Sequence, residues 1–582
     1  MPGIVGLVGE DASRRLEQIQ SYLKHRGSQP KVSQLGPSGA VVVLDDGMPR
    51  SNAEWDEWQL AAHARDYSGS WGGRSGEQVA DKLLRHLRAN DSHAFDQWNG
   101  HYAFAAWDGN REHLLLGRDR LGCFPLFYTV SRAGTIAFAS EYKALLAVPG
   151  ADPIVDLEMV QHLQYTKSLP ANRTLLKNIH PVEPGSIVRL NLSGEIVDKR
   201  SKAPFRTEVR LGNLEEAKAS TLSSLMTAVE RRTGGSGPIG IALSGGIDSI
   251  AVAAICRKLY PDREIQTFTA GYGADDMEVT IAERVSKLIR SRHVLVETPP
   301  EMLRTGMVEL VWHLEDPIAR SETLQLLALG REAGQRVSLL LSAQGADGLF
   351  GGMPRHRLIR FMELLPPLRS AFQQVYDFTQ SGARPHHLLA VGAAAYLGRK
   401  VPRAPNIIGS KYKLSPTDWP ASTENVLNRM LSSWFKSNPK FERTFAASGL
   451  DYTSPFYDTD LIELAYTIDS RFKITMTSEK FVLRQAVRGL IPDELVQVPK
   501  KPQRMRYDEQ FSDTLKTICN DLLSKNSIAD RGWFIQSEID NLSQRRSGRP
   551  FPAERAMRLW TAILTEEWAR EFVDKRAFEG NA

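Results

Sequence analysis

The sequence predicts two domains of different fold class, an α+β domain built on two antiparallel sheets and an α/β domain built on a parallel sheet. Short apolar strands follow one another closely within the first 140 residues. From about residue 211, longer helices alternate with short apolar strands, a pattern typical of a doubly wound parallel sheet. The length of 582 residues also suits two or more domains. We expect the domains at residues 1–207 and 208–582.

The composition excludes several classes of protein. Basic and acidic residues nearly balance, 73 against 68, so neither nucleic acid nor an acidic membrane surface is an expected partner. The three cysteines, Cys123, Cys256 and Cys519, lie far apart, which argues against a disulfide framework or a Cys-x-x-Cys metal site and favours a reducing cytoplasm. Neither a secretion leader nor a membrane span is expected. A homodimer is left open.

The first domain begins with a β-type stretch at residues 3–9. A helical pattern follows through Leu16 and Leu23 to His25 and Arg26. Further strands are predicted at residues 100–108, 113–119, 125–128 and 135–140. These elements indicate two packed antiparallel sheets with flanking helices, an αββα arrangement.

The second domain begins with a strand, a glycine-rich turn and a helix within residues 239–254. Ser244, Gly245 and Gly246 let the backbone approach an anion closely, and the first helical turn supplies amide donors. Asp248 is placed to hold Mg²⁺ beside that anion. The turn has neither the P-loop nor the dinucleotide spacing. The alternative is a glycine-rich turn in which Asp or Ser caps the helix.

A second turn of the same kind lies within residues 337–353, where an apolar strand leads to Gly345 and Asp347. Two aspartates at the ends of neighbouring parallel strands can bind one Mg²⁺ from opposite sides. Between the two turns, residues 264–272 form another predicted strand that passes through Thr269. The alternative for Asp347 is a simple helix cap.

The motifs resemble the asparagine synthetase family over most of the chain, except residues 354–437. The first domain has GIVG, HRG, GxxAFAxWD, LLLGRDRLGxxPLFY and IAFASEYKALLA, and the second has SGGxDS, the turn of the ATP pyrophosphatases. The resemblance implies an Ntn-type first domain, a second domain of the adenine-nucleotide α-hydrolase type, and ATP and Mg²⁺ as cofactors. The implied ATP-binding residues are Leu243, Ser244, Gly245, Gly246, Asp248, Ser249, Thr269, Gly345 and Lys480.

The resemblance also implies a reaction in which a carboxylate attacks the α-phosphorus of ATP and pyrophosphate leaves. Lys480 and Lys500 are then expected to contact the pyrophosphate and stabilise it as leaving group, with Asp248 and Asp347 as metal ligands. Glu278 is expected either to orient the nucleotide, as its counterpart does in the family, or to serve as a favourable charge at a helix N-terminus.

The first domain departs from the family at three glutaminase features. The family exposes an N-terminal Cys as nucleophile, whereas this chain has Pro2. The family's Asn-Gly-Glu motif falls near residues 61–68, which read AAHARDYS, and the aspartate expected near residues 75–77 is missing. We therefore expect no glutaminase activity. A structural role, and not a catalytic one, is then expected for His25, Arg26, Arg118 and Asp119.

The second domain resembles the branch of β-lactam synthetases, carbapenam synthetases and lasso-peptide cyclases. That branch uses a Tyr, paired with a Glu, as base, but Gln344 stands at the Tyr position. Glu442 is either a base acting alone or a buried structural carboxylate.

Asparagine-forming members usually carry an acid at the positions of Gln344 and Gly348. We expect a specialised amide synthetase that joins a small-molecule or peptide carboxylate to an amine, with lactam or macrolactam closure in antibiotic biosynthesis as the sharper hypothesis. The alternatives are an ammonia-dependent asparagine synthetase and an inactive scaffold.

Overall fold

The computed structural model describes most of the chain. The described residues are 3–10, 12–45, 52–67, 79–89, 95, 98–166, 169–201, 205, 210–234, 236–271, 276–320, 322–353, 356–357, 360, 427, 439–499, 508–545 and 548–574. Pro2, Lys500 and residues 75–77 therefore lie outside the described part.

The first domain contains two six-stranded antiparallel sheets among the described residues. The first sheet has the order β10-β8-β9-β1-β3-β2, with Val5 of β1 opposite Val42 of β3. The second has the order β12-β11-β7-β6-β5-β4. The strands are β1 Gly3–Val8, β2 Gln29–Gln34, β3 Gly39–Asp45, β4 Asn52–Trp55, β5 Trp58–Asp66, β6 Gly100–Asp108, β7 His113–Arg118, β8 Phe127–Val130, β9 Ile136–Ala139, β10 His180–Pro181, β11 Ser186–Leu190 and β12 Ile196–Ser201.

Helices flank these sheets, and the two-sheet prediction is confirmed. Helix α1 continues into a 3-10 turn, Ser21–Arg26, which carries His25 and Arg26. Strands β6 to β9 match the predicted strands, whereas β2 to β5 and β10 to β12 were not predicted. The helices of this domain are α1 Ala12–Gln20, α2 Val79–Arg88, α3 Tyr142–Leu146 and α4 Leu157–Thr166.

The second domain contains the predicted parallel sheet, with five strands in the order β15-β14-β13-β16-β17. The strands are β13 Ile239–Ala242, β14 Ile265–Gly271, β15 Arg292–Glu297, β16 Leu339–Leu341 and β17 Asp451–Thr453. Strand β13 is central, and its Ile241 lies opposite Leu341 of β16. The chain runs from β13 to β14 and β15 on one side and then returns to β16 and β17 on the other, so a crevice forms at the carboxyl ends of β13 and β16.

Helices cover this sheet and extend beyond it. Helix α5, capped by the Asn213 side chain, precedes β13, and α20 packs against α17 and α19 at the end of the chain. The helices are α5 Leu214–Arg232, α6 Ile247–Leu259, α7 Met277–Leu288, α8 Met302–Thr305, α9 Met307–Leu314, α10 Glu322–Gly334, α11 Ala346–Phe350, α12 Pro439–Ala446, α13 Thr459–Thr467, α14 Ser470–Lys473, α15 Phe481–Ala486, α16 Asp493–Val496, α17 Glu509–Leu522, α18 Lys525–Arg531, α19 Gln536–Ser543 and α20 Ala553–Phe572.

The connection between the sheets runs from the end of β12 at Ser201 to the start of α5 at Leu214. The predicted division at residue 207 falls within this connection and stays a prediction. None of the helices that the structure describes is both long enough and apolar enough to cross a membrane.

Candidate active site

The turn after β13 is shaped to receive an anion. Gly245 has φ +64°, and a Cβ there would lie 2.7 Å from the backbone oxygen of Glu278, so glycine is required on both counts. Gly246 is the N-cap residue of α6. The Ser249 hydroxyl donates to the Gly246 carbonyl at 3.0 Å and accepts from the Ser244 amide at 3.1 Å, which holds the turn closed. The first turn of α6 thus faces the crevice with its amide dipoles.

The turn after β16 brings the second aspartate to the same crevice. Gly345 has φ +111° and is the N-cap residue of α11, whose first turn contains Asp347. The backbone carbonyl of Asp347 accepts from the Gly351 amide at 3.0 Å and the Gly352 amide at 3.1 Å. A Cβ on Gly352 would collide with both the Asp347 carboxylate and the Lys480 side chain. This close packing fixes the carboxylate beside Lys480.

Lys480 joins the two turns. Its ammonium forms ion pairs with both Asp248 and Asp347, the latter at 2.5 Å, and the residue is only 1% exposed. Lys480 is the N-cap residue of α15 and has φ +54°, which a residue with a side chain adopts at a cost of about 1–3 kcal/mol. The two carboxylates can therefore share a single cation.

The donor set also fits a divalent cation. Asp248 Oδ1 is buried and has no hydrogen-bond partner among the residues that the structure describes. Mg²⁺ binds through carboxylate oxygens, and one or two of them suffice when phosphate supplies further ligands. Asp248 and Asp347 are the residues that would hold such an ion.

A cleft with about 560 Å³ of open space, its mouth included, lies over these groups. Of the residues predicted to bind ATP, Ser244, Gly245, Gly246, Asp248 and Lys480 line it. Leu243 and Thr269 lie beneath the cleft, where the Thr269 hydroxyl donates to the Leu243 carbonyl at 2.5 Å. The complete lining is Ser244, Gly245, Gly246, Ile247, Asp248, Met277, Glu278, Ile281, Gly352, Glu479, Lys480, Arg484, Val498 and Pro499.

Arg484 is a site residue to which the sequence interpretation assigned no role. Its guanidinium donates to the carbonyls of Glu479 at 3.0 Å and Val498 at 3.0 Å, and also to that of Val496. Burial lowers the pKa of Arg484, and Asp248 acts in the opposite direction. Arg484 thereby holds the cleft wall at Val498, two residues before Lys500, which itself lies outside the described residues.

The surroundings of Gln344 contain a tyrosine from another strand. The Tyr452 hydroxyl of β17 lies 2.9 Å from the Ser342 hydroxyl, and Ser342 in turn accepts from the Gln344 amide at 3.2 Å. Burial raises the pKa of Tyr452, which favours its neutral phenol form.

Glu442 is engaged away from the cleft. Its carboxylate accepts two hydrogen bonds from Arg26 of the first domain, at 2.6 and 3.0 Å, and it is only 3% exposed. It is not among the residues that line the cleft. The structure therefore favours the second of the two interpretations of Glu442, a buried structural carboxylate.

Buried side chains lie within residues 61–68, where the family's Asn-Gly-Glu motif is expected. His63 is 1% exposed and stacks on Phe124, with ring centroids 3.5 Å apart. Arg65, two residues on, forms an ion pair with Asp451 of the second domain. Arg118 and Asp119 bond mainly to backbone, since Arg118 donates to carbonyls that include that of Phe124 at 2.7 Å.

Comparisons with known proteins agree with these features. The family model described as asparagine synthase matches residues 221–570, and that described as glutamine amidotransferase domain matches residues 75–200. A protein of Mycobacterium bovis, provisionally named a glutamine-hydrolyzing asparagine synthetase, is 25% identical, over 98% of this chain and 96% of its own. Asparagine synthetase (glutamine-hydrolyzing) 1 of Bacillus subtilis is 25% identical, over 85% and 81%. Carboxyethyl-arginine beta-lactam-synthase of Streptomyces clavuligerus is 28% identical, over 74% and 69%.

Proposed function

The chain belongs to the asparagine synthase family and is an ATP-dependent amide-forming ligase, and we propose that it works without hydrolysing glutamine. In this proposal a carboxylate substrate is adenylated, AMP and pyrophosphate are formed, and an amine that does not come from glutamine attacks the acyl adenylate. One observation carries the proposal. Lys480 forms ion pairs with both Asp248 and Asp347, and these two aspartates follow the carboxyl ends of the adjacent parallel strands β13 and β16.

The adenylation step follows from the charges in the cleft. The carboxylate oxygen of the substrate attacks the α-phosphorus, and the bond to the bridging oxygen of pyrophosphate breaks. The amides of the first turn of α6 bind phosphate oxygens, while Lys480 and Lys500 stabilise the charge that grows on the leaving pyrophosphate. Removal of one such contact typically costs about 3 kcal/mol of transition-state stabilisation. Mg²⁺, held by Asp248 and Asp347, would neutralise further phosphate charge.

The first domain supports the absence of glutaminase activity. Pro2 offers no thiol or hydroxyl, and the positions of the family's Asn-Gly-Glu motif carry the buried His63 and the ion-paired Arg65. We expect purified protein to release no ammonia from glutamine at a rate comparable with AMP formation, as measured by a coupled ammonia assay. Equal rates would contradict this part of the proposal.

The nature of the amine separates the candidate functions. The similarity to the beta-lactam synthase of Streptomyces clavuligerus supports an amine on the same molecule as the acid, closing a lactam or macrolactam. The similarity to asparagine synthetase 1 of Bacillus subtilis supports the asparagine-forming alternative, whose amine would be free ammonia if glutamine is not hydrolysed. Gln344 and Gly348 stand where asparagine-forming members usually carry acids, so we favour the specialised substrate.

The test is carboxylate-dependent exchange of labelled pyrophosphate into ATP. We expect exchange with a specialised amino acid or peptide acid and none with aspartate, whereas exchange with aspartate would favour the ammonia-dependent alternative.

Asp248→Asn and Asp347→Asn should each abolish exchange and AMP formation. An unchanged rate in either variant would contradict the shared metal site, and a protein that binds no ATP would be a scaffold.

A further inference from the structure

A cluster of metal-binding side chains lies in the first domain, outside the ATP cleft. Its members are His101 in β6 and Asp119 and Cys123 in the turn that follows β7, and all three are buried. Strands β6 and β7 are antiparallel neighbours, and the Asp119 amide donates to the Tyr102 carbonyl at 2.8 Å. This pairing brings the turn next to His101.

The geometry of the cluster suits one ion. One ring nitrogen of His101, one carboxylate oxygen of Asp119 and the Cys123 sulfur all lie within 4.8 Å of one another. His101 Nδ1 is 4.0 Å from Asp119 Oδ1, too far for a direct hydrogen bond. An ion placed between the three atoms would come within reach of all three.

His101 provides an independent reason to look for a ligand. Both of its ring nitrogens are buried and have no hydrogen-bond partner within the described part of the chain. A buried polar nitrogen without a partner costs about 1–3 kcal/mol.

The surroundings of the cluster hold its side chains in place and shield them from solvent. The Asp119 carboxylate is oriented by the amides of Leu121 at 2.9 Å and Cys123 at 3.0 Å, as ligating carboxylates commonly are. The rings of Phe124 and Tyr457 pack edge-on against His101 and exclude solvent. Tyr457 belongs to the second domain, so the cluster lies where the two domains meet.

We propose that His101, Asp119 and Cys123 bind a zinc ion that stiffens the contact between the domains. Zinc accepts imidazole, carboxylate and thiolate together, whereas Mg²⁺ prefers oxygen alone. With the thiolate and the carboxylate as ligands, the charge of the ion is neutralised inside the buried pocket, and the Cys123 proton is released to solvent on binding. The site takes no part in the adenylation chemistry.

Cobalt substitution tests the proposal in the full-length protein. Wild-type protein, freed of metal and loaded with Co²⁺, should show the near-ultraviolet absorption of a thiolate–cobalt bond, and this band should saturate at close to one equivalent. The described lining of the ATP cleft contains no thiol, so the band separates the two sites. Cys123→Ala should lose the band, whereas Cys519→Ala, which removes another buried cysteine, should retain it.

A second variant keeps the test decisive if Cys123→Ala does not fold. His101→Asn should weaken Zn²⁺ binding at least tenfold in chelator competition, by analogy with the effects of perturbing zinc sites. Absence of the thiolate band from folded wild-type protein, or its survival in folded Cys123→Ala, would overturn the proposal. The outcome is independent of the proposed synthetase activity.

Discussion

Single residues determine the charge arrangement of the cleft. Lys480 is held at a positive φ with its ammonium between Asp248 and Asp347, and Gly352 leaves room for this contact because it has no Cβ. The Lys480 ammonium places positive charge between the two carboxylates, where a metal ion would also bind. Metal binding and the position of Lys480 are therefore linked.

Lys480→Met tests this link through two opposite effects. Pyrophosphate exchange should fall by at least about a hundredfold, because a contact of about 3 kcal/mol to the leaving group is lost. Binding of Mn²⁺ without ATP, followed by electron paramagnetic resonance, should become tighter, because the competing ammonium is gone. Lys287→Met, which alters an exposed lysine of α7, is the matched control and should change neither. Weaker Mn²⁺ binding in folded Lys480→Met would contradict the competition.

Gly352→Ala tests the packing behind Lys480. The added methyl group collides with Asp347 and Lys480, and overpacking of this kind costs about 1–3 kcal/mol. We expect AMP formation to drop at least about tenfold. Gly237→Ala is the control, because a Cβ there meets nothing within 4 Å. Equal AMP formation in the two variants would argue against a tight contact at Gly352.

At the scale of elements, the site is assembled from strand ends and the first turns of short helices. Helices α11 and α15 contain only five and six residues, so their own hydrogen bonds stabilise them little and tertiary contacts must hold them. Arg484 of α15 provides one such contact by binding three backbone carbonyls, two of them in residues 496–498. The cleft wall before Lys500 thus depends on one side chain.

Arg484→Lys retains the charge but loses the planar fork of the guanidinium, so its shorter ammonium is not placed to reach all three carbonyls. We expect kcat for pyrophosphate formation to fall about tenfold, with a smaller change in KM for ATP, because Lys500 is no longer positioned for the transition state. Steady-state kinetics measure both values. Arg488→Lys, on the exposed side after α15, should leave both unchanged. A rise in KM alone would show that Arg484 serves ground-state binding instead.

At the scale of the whole molecule, buried ion pairs join the two domains. Arg26 is fully buried between Glu141 of its own domain and Glu442 of the other. Although burial opposes its charge, these two carboxylates raise the pKa of Arg26 further. Asp458 is similarly bound by Asn99 across the interface, at 3.1 Å. The first domain therefore has a structural role at this interface.

Arg26→Met should destabilise the protein by about 3–5 kcal/mol, because Glu442 is left buried without its partner. Urea unfolding measures the loss, and Arg14→Met, at an exposed position of α1, should change stability by less than about 0.5 kcal/mol. The double variant with Glu442→Met should recover part of the loss, since no unpaired charge remains. Similar stability of Arg26→Met and Arg14→Met would contradict a structural interface.

The sequence by itself determined the two fold classes and the two glycine-rich turns, because apolar strands, positive-φ glycines and the acids after them are local signals. Strands β15 and β17 escaped prediction, since β15 is a half-exposed edge strand with a charged residue at each end and β17 has only three residues. Only the tertiary structure decided that Lys480 would meet both aspartates and that Glu442 would pair with Arg26. These pairs join residues more than a hundred positions apart in the sequence, so a local sequence pattern cannot predict them.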